Sequence, residues 1–450
     1  MTPRAIRTSL VTRALLRRLA VLAQATQSAR AWTLLSVVGA RGAGFTLSFF
    51  LARFGGAEAL GAYTTLLNTG AAVVTPYSAI VGNNATIMAA AANRVSPSSY
   101  SRVARASVAL MVGLSVLSFV VFLLLGSLRN NGQGLGTAWA VLGGASVILG
   151  QACFAAVQGS LYGAGRFVWA AQVSAMVAVA VALCAGPLVW WAGLNGALAL
   201  VLVLSLLPGA ILGWELLSIT PGNGDAAEVW RETWRRFVAG LANVAATTID
   251  NGVNWVCGIY LVREAFGMEG VGVLGISMQW HTAMLLPVMG WSGVTLKALT
   301  DASEEGDAST TFAAVISLAK RNLWATAALA GVVALGSPYL AAAYGLGKTD
   351  LALLVCIFAV IALLRAVAGV LELLMFCLNR QRLWLLFSVP AFALQAVITF
   401  VWIGHGLWVV LIGILAATVA RGAFCLVALP GLVRHRHHSL TTARMARDVS

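Results

Sequence analysis

The chain is built from long apolar runs separated by short polar breaks. Twelve runs can be drawn: 32–52, 61–81, 106–127, 137–159, 167–190, 194–217, 238–260, 271–292, 323–344, 351–378, 383–403 and 406–429. Each is long enough to carry a helix through about 30 Å of hydrocarbon. Inside the runs Gly, Ala, Val and Leu follow one another without the period-two alternation of a barrel strand, so the backbone must satisfy itself as helix. The pattern predicts an all-α polytopic membrane protein with twelve transmembrane helices, numbered here as spans 1 to 12.

The second half repeats the first at a shift of about 210 residues. Leu51, Arg53, Gly56, Glu58 and Gly61 of LARFGGAEALGAY fall on Leu261, Arg263, Gly267, Glu269 and Gly272. Further along, Asn68 falls on Gln279, Pro76 on Pro287, Gln151 on Arg365, Gln158 on Glu372 and Arg166 on Arg380, and WAGLNG at 191 falls on WIGHG at 402. Six spans separate the copies, so both have the same orientation, and the expected architecture is two pseudo-symmetric six-helix bundles. The chain then divides into a basic amphipathic segment (1–31), a first bundle (32–217), a linker with an amphipathic helix (218–237), a second bundle (238–429) and a basic tail (430–450).

Composition agrees with the pattern: 60% of residues are hydrophobic and 10% charged, against about 25% charged in a soluble domain. The net charge of +14 does not indicate nucleic acid, because of where it lies. Of 29 Lys and Arg, 22 fall in the termini and even-numbered loops, four in odd-numbered loops (Arg53, Arg129, Arg263, Lys348) and three inside spans (Arg41, Arg365, Arg421). The positive-inside rule then puts both termini in the cytoplasm and the chain in the cytoplasmic membrane, with anionic lipid as a neighbour. The segments RALLRRLAVL and EVWRETWRRF read as interfacial helices. The six cysteines fall within spans without close pairs, as small apolar residues. YGLGKTD has Ala342 where a phosphate-binding loop needs glycine, and no cofactor is expected.

Five ionised groups sit inside spans: Arg41, Asp250, Arg365, Glu372 and Arg421. A midplane arginine costs about 2.5–3.5 kcal/mol on insertion scales and normally faces protein or a wet cavity. Asp250 occupies nearly the repeat-equivalent position to Arg41, which places the two opposite each other between the bundles, as an ion pair in one state of a cycle. Arg365 and Glu372 share a face of span 10, and Gln151 and Gln158 repeat that spacing on span 4. Arg421 lies near the end of span 12 and reads as an anchor that snorkels. His281 is a candidate titrating group, and Pro76 and Pro287 are candidate bending points.

The paired bundles, the LARFGGAEALGAY turn and the phrase AAVQGSLYGAGRF at the end of span 4 resemble the multidrug, oligosaccharidyl-lipid and polysaccharide exporter superfamily, which has a MATE-like fold. Within it the chain is similar to O-antigen-type polysaccharide flippases. The resemblance implies alternating access and a cationic cavity for a polyprenyl-pyrophosphate-linked oligosaccharide. It makes membrane lipids, the polysaccharide polymerase and the chain-length machinery the associated partners. Arg41, Arg365, Asn68, Gln279 and Gln151 are then the candidate substrate contacts, since arginine offers a permanently charged fork to phosphate. Asp250, Glu372, His281, Pro76 and Pro287 are the candidate coupling or gating residues. Rival readings are a cation-coupled multidrug exporter of the same fold, which Asp250 and Glu372 favour, and a lipid II flippase. A glycan polymerase or ligase, which needs larger external loops, and a major facilitator transporter fit less well. The chain is not expected to be an enzyme.

Overall fold

The computed structural model describes residues 29–95, 100–127, 137–219, 225–304, 308–344, 351–378 and 380–448. The expected helix RALLRRLAVL lies outside them. The helices are α1 (Ala29–Val95), α2 (Tyr100–Ser127), α3 (Thr137–Gly163), α4 (Phe167–Ser218), α5 (Ala226–Ala239), α6 (Leu241–Trp255), α7 (Val262–Met284), α8 (Leu286–Glu304), α9 (Ala308–Ala343), α10 (Leu351–Cys377), α11 (Gln381–Trp402) and α12 (Trp408–Asp448). A π-helical turn, Val256–Leu261, joins α6 to α7, and a 3-10 turn, Ile403–His405, leads from α11 to α12. No strand occurs among the described residues.

Three stretches are too long to cross once: α1, α4 and the run from α6 to α8 (241–304). Helix α1 has 67 residues, about 100 Å at 1.5 Å per residue, and α4 has 52. Each is divided by a glycine at positive φ: Gly56 (76°) in α1 and Gly193 (56°) in α4, with Gly267 (68°) doing the same in α7. A side chain at such a φ costs about 1–2 kcal/mol, which glycine avoids. Among the described residues eight helices are long and apolar enough to cross a membrane, nine with the bent stretch Leu241–Ser292; with the parts on either side of Gly56, Gly193 and Gly267 counted separately, they correspond to the twelve apolar runs of the sequence. Gly56 and Gly267 are repeat partners, so the two halves turn at the same place.

The halves also end matching helices alike. After span 4, Arg166 N–H donates to Leu161 O (2.8 Å), and after span 10, Arg380 N–H donates to Met375 O (2.9 Å). Both are the six-to-one bond of a Schellman cap. The fold is therefore all-α and polytopic, with two related six-helix bundles. Its largest core cluster runs through both, from Leu47 and Leu51 to Val271, Leu274 and Phe358.

Linker helix α5 starts on Asp225, whose carboxylate accepts from Ala227 N–H at 2.8 Å. It buries Thr233 and Phe237, the latter among Val74, Tyr77 and Ile80 of span 2. Trp230, Trp234 and Val238 remain exposed. The two prolines behave differently. Span 2 stays helical through Pro76, which is buried in a row with Val74 and Tyr77. Span 8 bends by 54° between Met284 and Leu286, immediately before Pro287, where Leu286, Pro287 and Val288 are only half-buried. Tight packing keeps the first helix continuous despite the missing hydrogen bond; the second has less to resist bending.

Candidate functional site

The bundles meet along spans 1 and 2 on one side and spans 7 and 8 on the other. Near the Gly56 and Gly267 turns the contact is backbone against backbone. A Cβ on Gly61 would fall 1.9 Å from Met268 O, and one on Gly272 would fall 2.4 Å from Ala57 O. Small residues permit this approach, which in lipid replaces the hydrophobic drive as a source of association. Deeper in, polar and aromatic contacts continue the seam. Thr65 Oγ1 points at Met268 Sδ (4.0 Å), Trp255 Nε1 donates to Thr69 Oγ1 (2.8 Å) and Gln279 Nε2 donates to Ser48 Oγ (2.5 Å). Phe45 meets Trp280 edge-on at 5.1 Å.

Arg41 lies one helical turn before Phe45 and two before Ser48, on the same face of span 1. There the seam ends, and Leu35, Val38, Ala40 and Arg41 are exposed. Most of the surroundings of Arg41 are nevertheless protein, as for a group inside a cleft. Among the described residues it makes no ion pair and no hydrogen bond. Asn68 continues the ridge Ala57, Gly61, Thr64 on span 2, and its repeat partner Gln279 continues Met268, Gly272, Gly275 on span 8. Arg41, Asn68 and Gln279 are thus all on faces turned to the seam. Gln151 is exposed on span 4 and stands apart from these contacts, while Gln158 Nε2 donates to Tyr162 Oη (3.0 Å) in the first bundle's own packing.

Asp250 does not pair with Arg41. Its Oδ2 lies 3.9 Å from Arg421 Nη1, and its Oδ1 accepts from Asn254 Nδ2 at 2.7 Å. Asn254 Oδ1 in turn accepts from Gln395 Nε2 (2.9 Å). Nor does Arg421 snorkel. Its side chain is 12% exposed and its Cζ sits 4.7 Å from the Phe392 ring and 5.4 Å from that of Trp384. Stacking and an acidic partner hold the guanidinium inside the second bundle, where a weakly hydrated planar cation is tolerated. Arg365 and Glu372 lie close enough to interact with both members of this pair. The four groups form a quartet of zero formal charge spread over spans 7, 10 and 12.

Within the quartet Glu372 has no ion-pair partner within 4 Å among the described residues, and the Nε of Arg365 is buried without a hydrogen-bond partner. His281 borders it on span 8. The imidazole stacks on Phe358 at 4.8 Å, and its Nδ1 is 3.2 Å from Phe358 O. A carbonyl only accepts, so the proton of that bond is on Nδ1. Pro287 lies just past this level, at the bend. Asn254 and Gln395 are the network members that sequence reading missed. Asn254 could have been found four residues after Asp250 on one face, and Gln395 as a lone amide in an apolar span.

No protein-family model matches the sequence, and no curated protein does. Solved structures do match. The chain aligns with an outward-facing multidrug resistance MATE family transporter of the MOP superfamily at 15% identity and TM-score 0.61, over 93% of this chain and 98% of that one. An inward-facing multidrug resistance MATE transporter aligns at 16% and 0.61, over 92% and 96%. A MOP superfamily transporter from Pyrococcus furiosus, whose binding pocket of reversed polarity suggests a different function, aligns at 15% and 0.62, over 93% and 98%. At these identities the likeness is one of architecture: the chain has the MATE fold over nearly its whole length.

Proposed function

We propose that the chain is an alternating-access flippase that carries a polyprenyl-pyrophosphate-linked oligosaccharide across the cytoplasmic membrane for surface polysaccharide assembly. The observation that carries this reading is the state of Arg41. It is a permanent cation in the cleft between the bundles, and its expected neutralising partner, Asp250, is bound to Arg421 instead. A cleft with an uncompensated cation attracts an anion. At 4 Å and an effective dielectric near 20 the attraction between unit charges is about 4 kcal/mol, enough to recruit a pyrophosphate and weak enough to release it. Asn68 and Gln279 supply hydrogen-bonding groups for the glycan, while Arg365, held in the neutral quartet of the second bundle, adds no net charge there. The MATE-fold neighbours are transporters seen in outward-facing and inward-facing forms, which supports alternation of the bundles about the seam.

The experiment compares surface glycan and inward-facing lipid-linked precursor in cells carrying Arg41 variants at matched abundance. Arg41→Lys should keep partial function, because charge remains while the fork is lost. Arg41→Gln and Arg41→Glu should abolish display and accumulate precursor. Full display by Arg41→Glu would overturn the proposal.

One observation favours the second reading, a cation-coupled multidrug exporter. Glu372 is an acid inside the second bundle with no ion pair within 4 Å among the described residues. Under that reading Glu372→Gln raises drug sensitivity and leaves glycan display unchanged; under the first it leaves drug sensitivity unchanged.

A further inference from the structure

Away from the seam, at the basic end of the first bundle, a groove of about 740 Å³ opens between the start of span 5 and the end of span 6. It is lined by Gly165, Arg166, Val168, Trp169, Ile211, Trp214 and Glu215. Its polar wall is fixed by the end of span 4. Gly165, at φ 78°, closes that helix, and the following Arg166 is tied back to Leu161 O. The Arg166 guanidinium pairs with Glu215 Oε1, and Trp169 Nε1 donates to Glu215 Oε2. The ion pair stays accessible, at 47% and 29% side-chain exposure. The apolar wall is accessible too: Trp214 is 80% exposed, Trp169 41% and Ile211 39%.

We propose that this groove binds the headgroup of a zwitterionic phosphoethanolamine lipid. The two charges of the wall stand side by side, so a ligand with one anion and one cation close together meets both. Arg166 has donors beyond the one given to Glu215 and takes the phosphate diester. Glu215 has lone pairs beyond the two in use and accepts from the primary ammonium, which also lies against the electron-rich indole faces. Ile211 and Trp214 cover the glycerol and the first acyl carbons, and tryptophan is at home at headgroup depth. A choline headgroup has no N–H to give Glu215, and a glycerol headgroup brings no cation, so neither fits as well. The repeat supplies an internal control. Arg380 follows the same turn in the second bundle, but span 12 carries no acid between Trp408 and Leu429, so each chain holds one such lipid.

The test is native mass spectrometry of the purified full-length protein released from mixed micelles of phosphatidylethanolamine, phosphatidylcholine and phosphatidylglycerol. Wild type should retain one phosphatidylethanolamine about tenfold above either competitor, the effect expected of a hydrogen bond to a charged group. Glu215→Gln should reduce that preference about tenfold. Trp214→Leu, at an exposed position where the fold is not at stake, should also reduce the retained lipid. Equal or better retention of phosphatidylglycerol, or wild-type retention of phosphatidylethanolamine by both variants, would overturn the site. Displacement of the lipid by soluble phosphoethanolamine would overturn its assignment to a lipid.

Discussion

Asp250 shows what a single charge in a bilayer requires. Its carboxylate has an amide donor at 2.7 Å and a guanidinium at 3.9 Å, and that guanidinium has aromatic faces on its other sides. Removing one member leaves the other partly buried without its nearest counter-ion, which destabilises the fold. Asp250→Asn and Arg421→Gln should therefore each lower the melting temperature in detergent, and the double variant should lie above the value that additivity gives. Strict additivity would show that the two groups do not support each other. That an acid stands inside span 7 was legible from the sequence. Its partner was not: repeat symmetry pointed to Arg41, while the nearest available cation came from span 12, about 170 residues away along the chain.

Two elements carry predictions of their own. Spans 2 and 8 touch through glycines, and an added methyl at Gly61 would overlap a carbonyl of the other bundle. Gly61→Ala and Gly272→Ala should open the seam near the Gly56 and Gly267 turns. Spin-label distances across it should lengthen relative to wild type, and unchanged distances would show that the approach is not limiting. Helix α5 responds to pH. Hydrogen bonds from Arg235 and Arg236 hold the Glu232 carboxyl below its ordinary value. A depressed folded pKa adds stability above the unfolded value of about 4.3, and that stability disappears as pH falls below it toward the folded pKa. Protease resistance of α5 should decline on acidification below about pH 4, and Glu232→Gln should flatten that dependence. The effect is small, under about 1 kcal/mol, because the pair faces water.

At the scale of the whole molecule, the asymmetry of 22 basic residues against four predicts both termini in the cytoplasm. Reporter fusions at Ser127, Gly193 and Gly404 should be active on the non-cytoplasmic side, and fusions at Ser98, Gly224 and Ser450 in the cytoplasm. A reversed pattern would invert the cleft, since Arg41 and the open end of the seam lie toward the basic face, while the tight glycine contacts lie toward the other.

Periodicity, length and glycine placement were enough to determine the all-α polytopic class, the apolar helices and the paired turns at Gly56 and Gly267. These features are local, or are copies of local features: an apolar run must be helical in lipid, and a reversal after Arg53 or Arg263 needs a residue that accepts positive φ. The seam face of spans 2 and 8 follows from the same spacing. Tertiary structure decided the rest, because it concerns which helices stand beside each other. It joined Asp250 to Arg421 and brought Asn254 and Gln395 into the network. It bent span 8 at Pro287 while leaving span 2 helical through Pro76. It also left Arg41 without an ion pair among the described residues, for an ion pair forms with whatever charge the packing brings near, and spacing along the chain does not encode that distance.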